Sequence, residues 1–173
     1  SKTGYDLSPD YFKIIVVRDP RFLKAYIGLS TSISIYAARP QESVALMEKG
    51  LKSMSPHTPP KSYYVWRYKG TDELLFLGDA KAARQSFEKA AEWASTYSDE
   101  ESKEVAQFSR KTADFLSRNP NSKLAQVNAW AMVLSSTTDK RAQKIAISRI
   151  EALGGKVVIT PEGTVRIQPP PAD

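Results

Sequence analysis

A chain of 173 residues matches one ordinary domain, long enough to bury its own core, and its 41% hydrophobic and 25% charged residues exclude a disordered tail or a collagen-like fibre. With no cysteine and with His57 as the single histidine, a disulfide scaffold, thiol catalysis and a cysteine-held zinc are ruled out, and a histidine metal site or catalytic triad is disfavoured. The net charge of +6 is concentrated between Lys103 and Ile150, where nine basic residues face three acidic ones and the rest of the chain is neutral.

Ser8 caps and Pro9 opens the first predicted helix, which stops before Asp19-Pro20. A second runs from about Arg21 to Tyr36, and a third from about Pro40 to Met54 with Val44, Met47 and Leu51 on one face. Ser55 to Pro60 is a loop, because its prolines cannot sustain a helix. The fourth helix is predicted over Ser62 to Leu77. Gly78-Asp79 then turns the chain, with Asp79 capping a fifth helix from Ala80 to Ser95. Ser98 to Glu101 has the form of a capping box and opens a sixth helix to about Ser117. The seventh spans Ser122 to Leu134, and the eighth opens at Asp139 and ends at Gly154-Gly155. KVVIT and TVRIQ read as a small hairpin around Pro161-Glu162-Gly163, within residues 154–168, and 169–173 as an extended Pro-rich tail. No apolar run approaches the roughly 18 residues of a membrane span. The chain begins at Ser1 without methionine or a signal-peptide pattern, which reads as a fragment whose parent carries a further N-terminal segment.

Two segments align at an offset of 40: Tyr26 with Trp66, Met47 with Phe87, Gly50 with Ala90 and Leu51 with Ala91. Small residues at fixed spacing let paired helices approach, while large ones fill the hollows between pairs. WRYKGTDELLFLGDAKAARQSFEKAAEWA, with Trp66 and Gly70 four apart, Gly78-Asp79 at the turn, then Ala83, Phe87 and Ala90, resembles a complete tetratricopeptide repeat. Tyr26, Ser43, Met47 and Gly50 resemble a weaker copy, and Ser8, Phe12 and Ile15 the second helix of a truncated unit before it. Two departures stand out: Trp66 to Ala83 and Tyr26 to Ser43 are each 17 apart, one more than the family pattern, and the 40-residue period exceeds the usual 34 or so. Beyond Tyr97 the phase of the repeats stays open. DYFKIIVVRDPRFLKAY, with RIEALGGKVVITPEG, also resembles a group of bacterial repeat proteins that are often membrane-anchored at the N-terminus.

The resemblance implies an all-α, right-handed antiparallel helical-repeat solenoid of about eight helices over 1–153, with the hairpin appended. It further implies a non-catalytic scaffold that binds a protein or peptide partner along its inner face, without a cofactor. Groove positions carried over from the family fall at Lys24, Ile27, Thr31 and Ile35 in one unit and at Tyr64, Arg67 and Thr71 in the next. Tyr64, Arg67 and Lys24 would give such a groove an aromatic anchor and charge-assisted bonds. The alternative is ordinary packing of Tyr64 and Ile27 with a solvated Arg67. Because Ile27, Thr31, Arg67 and Thr71 stand where some family members place clamp residues, with the asparagines absent, a chaperone-type carboxylate clamp is disfavoured. The rival reading is an adaptor that binds anionic membrane or nucleic acid through the basic helices 103–150. Nucleic acid is the weaker of these, since Phe108, Phe115 and Trp130 are more simply core than stacking platforms. Asp99, Glu100, Glu101 and Glu104 are read as complementing a helix N-terminus, and His57 as an exposed loop residue.

Overall fold

The computed structural model describes residues 39–173. The first two predicted helices, the truncated unit and the groove positions Lys24, Ile27, Thr31 and Ile35 lie outside them. The described chain is mostly helical, with six helices rather than the eight expected of the whole sequence: α1 (Pro40–Leu51), α2 (Tyr63–Leu75), α3 (Ala80–Ala94), α4 (Glu100–Arg118), α5 (Lys123–Ser136) and α6 (Lys140–Ala152). An antiparallel hairpin follows, β1 (Lys156–Ile159) paired with β2 (Val165–Gln168) in the register Val157 opposite Ile167 and Ile159 opposite Val165.

Local chemistry sets the boundaries. Pro40 opens α1, where its missing N–H costs nothing. Asp79, Ser122 and Asp139 each turn a side-chain oxygen to a free N–H in the first turn of α3, α5 and α6. Gly78 takes φ +65° in the turn that ends α2, a conformation that disfavours any residue with a Cβ. The cap of α4 falls one residue later than the capping box predicts. Asp99, not Ser98, accepts from the Ser102 N–H at 3.1 Å and from its hydroxyl at 2.8 Å, and Glu101 turns instead towards Lys61 and Tyr64.

Helix α2 is the axis of the packing. It lies antiparallel to α3, with Trp66 meeting Trp93, Gly70 meeting Phe87 and Glu73 meeting Ser86. A Cβ on Gly70 would stand 3.1 Å from the Phe87 ring, so glycine here sets how closely the helices approach. Ala83, Phe87 and Ala90 are all fully buried. α1 covers α2 through Leu46, Met47 and Leu51 against Val65 and Tyr68. α4 packs on α3, while α5 crosses back to contact α2 as well as α4 and α6. Trp130, Val133 and Ile150 join α5 to α6, and the inner hairpin pair Val157 and Ile167 covers that seam. The outer pair on the same hairpin face, Ile159 and Val165, is exposed.

Two segments expected to be simple connections are tied down. The Tyr97 hydroxyl accepts from the Lys61 N–H and donates to the Pro56 carbonyl, both at 2.7 Å, and its ring stacks on the exposed His57 at 4.1 Å. Tyr97→Phe removes both bonds while keeping the ring, and urea unfolding is expected to show a loss of about 1–3 kcal/mol. The C-terminal tail folds back rather than projecting: Pro170 is buried, and the Asp173 carboxylate accepts from the Lys123 N–H at 2.7 Å and from the Ser122 hydroxyl. Burial of Asp173 opposes its ionisation, but those bonds at the start of α5 outweigh it and hold the carboxyl below its usual range.

Candidate functional site

The first half of α2 presents a run of aromatic side chains with one arginine set among them. Tyr64 is half-buried and stacks on Tyr68, their ring centres 6.4 Å apart. The Arg67 guanidinium carbon lies 5.9 Å from the Tyr64 ring centre and 5.4 Å from that of Phe108 on α4, within cation–π range of both. The Arg67 Nε is buried and has no hydrogen-bond partner. An arginine held between two rings is pre-oriented, so it loses little rotamer freedom when a partner group pairs with it.

Glu101 closes one end of this surface. It accepts from the Tyr64 hydroxyl and pairs with Lys61, whose ammonium also lies 3.4 Å from Asp99. The Lys61 hydrogen bond, then that of Tyr64, holds the Glu101 carboxyl below its usual range, while Glu101 pushes Lys61 up. Burial, followed by the bond to Glu101, raises the Tyr64 phenol far above its ordinary value, so Tyr64 is a neutral donor at physiological pH. A depressed carboxylate stabilises the fold above its unfolded pKa of about 4.3, and the contribution disappears as pH falls through the folded value. Glu101→Gln is therefore expected to flatten the acid side of a stability-versus-pH curve below about pH 4.5, by less than about 1 kcal/mol because the pair is partly solvated. Chemical denaturation at a series of pH values checks it, and an unchanged acid limb would contradict the assignment.

Of the groove positions, Tyr64 and Arg67 are brought together and partly exposed, but Thr71 is not available to a partner. It is 1% exposed beneath α5, and its hydroxyl donates to the Arg67 carbonyl at 2.9 Å and lies 3.4 Å from the Met132 sulfur. Leu74, one turn further, is buried in the cluster that holds Met132 and Ala129. The face of α2 expected to line an open groove is thus covered along its second half by α5. Sequence reasoning missed Phe108 as the second ring against Arg67 and Glu101 as the partner of Tyr64. The signal for both was their place on α4, whose alignment with α2 depends on repeat phase.

On the basic helices, Lys140, Lys144 and Arg149 are exposed and make no salt bridge with the described residues. Arg149 borders an otherwise largely apolar cleft of about 540 Å³ between α2, α5 and α6. Among the described residues, no group of three or more acidic or histidine side chains is placed to hold a metal ion, and no helix is long and apolar enough to cross a membrane. Comparison with protein-family models, with curated proteins and with solved structures finds no match to this chain.

Proposed function

We propose that the chain is a non-catalytic recognition module of the tetratricopeptide-repeat type, a right-handed stack of antiparallel helix pairs that binds a protein or peptide partner. The observation that carries the reading is the α2–α3 pair, where Gly70 lies under Phe87 and Ala83 and Ala90 are fully buried, as the resemblance requires of those positions. A rigid stack of this kind offers a wide surface rather than converging acids and bases on one reacting atom. The partner surface is the exposed part of α2, Tyr64 and Arg67, with Phe108 beside them. Rings and arginine are the side chains that dominate binding energy at protein interfaces. Lys24, Ile27, Thr31 and Ile35 would extend it on the preceding unit.

A second reading is favoured by the unpaired cations of α6: an adaptor that binds an anionic membrane or nucleic acid through Lys140, Lys144 and Arg149. Crosslinking capture from lysate of the source cells, at low and high salt, separates the two. Under the first reading a defined protein is captured at both salt concentrations and is lost from a Tyr64→Ala/Arg67→Ala variant that retains its helical circular dichroism. Capture of lipid or nucleic acid that ignores the double substitution and falls steeply with salt would overturn it in favour of the basic helices.

A further inference from the structure

Two clefts border α2, and they differ in whether their charges already answer one another. In the first, about 560 Å³ between α1, α2 and α3, each ammonium has an acid. Lys69 meets Glu73 at 2.9 Å, the two side chains 7% and 5% exposed, and Lys89 meets Glu92 at 3.1 Å. Ser86 donates to the second Glu73 oxygen at 2.6 Å. Ions held out of water in this way fix each other's geometry, and the cleft keeps no cation for a ligand.

The second cleft, about 540 Å³ between α2, α5 and α6, also has the volume of a small-ligand site. Its walls are apolar side chains that the helices leave half-covered: Leu75 and Phe76 where α2 ends, Ile145 on α6 and Leu153 just beyond it. All four rest on the core formed by Trp130, Val133 and Ile150, and Phe76 meets the Trp130 ring edge-on at 5.7 Å, so the hollow is formed before any ligand arrives. Ile145, Arg149 and Leu153 follow one another at intervals of four and share one face of the helix. The Arg149 guanidinium is thereby set on the rim of the apolar walls. It makes no salt bridge or side-chain hydrogen bond with the described residues, and no acid lines the cleft. Nor do the carbonyls that end α6 satisfy it: those of Arg149, Ile150 and Glu151 accept from the N–H groups of Leu153, Gly155 and Gly154.

An apolar hollow with one unspent cation at its rim complements a ligand of the opposite layout, a hydrocarbon chain ending in a single anion. We infer that this cleft binds an aliphatic monocarboxylate, its chain against Phe76, Trp130 and Ile145 and its carboxylate on Arg149. Guanidinium and carboxylate match as two parallel charge-assisted hydrogen bonds, and arginine holds its charge at any pH the fold survives. The occupant is a free acid rather than a peptide. A peptide would bring an N–H and a C=O with every residue, and the only side-chain polar groups in the lining besides Arg149 are the Gln126 amide and the Trp130 indole N–H. Plain hydrocarbon brings no polar group to be satisfied, and each methylene it buries strengthens binding about fourfold.

The test follows the three tryptophan indole N–H resonances of the nitrogen-15-labelled chain, that of Trp130 assigned from a Trp130→Phe variant. Trp66 and Trp93, which pack together against the α1–α2 core, serve as internal controls. The probes are octanoate, the shorter butanoate, octylammonium and N-acetyl-leucyl-leucine. At about 0.15 M salt, octanoate is expected to shift the Trp130 resonance to saturation below about 10 mM and to leave the controls in place. Butanoate, four methylenes shorter, should bind at least tenfold more weakly, and octylammonium should leave the resonance unmoved. Arg149→Gln alters an exposed side chain, so the fold should persist, and it is expected to weaken octanoate about tenfold. Lys144→Gln removes the same charge from α6 away from the cleft lining and should change octanoate binding less than about twofold. Absence of saturation by octanoate, butanoate or octylammonium binding as tightly as octanoate, or equal effects of the two substitutions would each overturn the proposal. Tighter binding of N-acetyl-leucyl-leucine than of octanoate would also overturn it, and would make the cleft a receptor for a peptide C-terminus.

Discussion

Replacing Lys69 by methionine is expected to lower the stability of the chain by about 3–5 kcal/mol, seen as a shift of the urea midpoint with little change in slope. The size comes from what is left behind rather than from the bond itself. Glu73, 4% exposed, would keep only the Ser86 hydroxyl as a donor and would carry its charge in a place water barely reaches. Glu48, more than half exposed, cannot substitute because it is an acid. Replacing both partners removes the ionic cost as well as the ionic gain, so Lys69→Met/Glu73→Met should lie much closer to the parent chain than Lys69→Met does. Its residual loss, about 1–3 kcal/mol, is that of the unpartnered Ser86 hydroxyl. The diagnostic quantity is the coupling: if Glu73→Met fails to rescue Lys69→Met, the two charges do not depend on each other and the pair has been misread. An exposed i,i+4 pair such as Arg84 and Glu88 should show only a few tenths of a kcal/mol in the same experiment.

That contrast explains how much of the molecule could be read from its residues. Lys69 and Glu73 stand four apart in a helix, as do Arg84 and Glu88, and local spacing cannot distinguish a buried pair from a surface one. What separates them is the arrival of α1 and α3 on the same side of α2. Features whose cause is local were legible: the cap at Asp79, the helix starts at Ser122 and Asp139, the turn at Gly78 and the hairpin around Gly163. The single-residue error at the start of α4 arose because Ser98 and Asp99 are both good caps, and the competition was settled by Lys61, about forty residues away, which draws Glu101 out of the box. Thr71 was placed in an open groove because the family's groove positions carried onto α2 say nothing of where the helices beyond Tyr97 pack; in the fold α5 returns to α2 and seats Met132 on it. The tail was legible only as proline-rich, since its anchor joins Asp173 to Ser122, 51 residues apart. Tyr64 and Arg67, one turn apart in the unit that is complete, lie side by side and partly exposed, while Thr71 in the same unit is covered by α5.

Phe87→Ala should cost a further large amount for a different reason, about 3–5 kcal/mol, by opening a hole where α2, α3, α4 and α5 meet. Phe87 is fully buried, and its cluster reaches from Leu74 through Ala113 and Leu116 to Met132. Most of those neighbours are small or fixed on separate helices, so they cannot collapse into the space, and the cost should fall at the upper end of that range. Gly70 supplies the internal check. In the parent chain Gly70→Ala brings a Cβ to 3.1 Å from the ring, and the crowding costs about 1–3 kcal/mol against a gain of about 1 kcal/mol in helix propensity. In the Phe87→Ala background the ring is gone and only the gain remains, so the same substitution should become stabilising. A change of sign between the two backgrounds, measured by urea unfolding, would establish that glycine is required at position 70 by the aromatic ring above it. If Gly70→Ala has the same effect in both, the close approach of α2 and α3 is held by some other contact, and the main support for reading this pair as a repeat unit is lost.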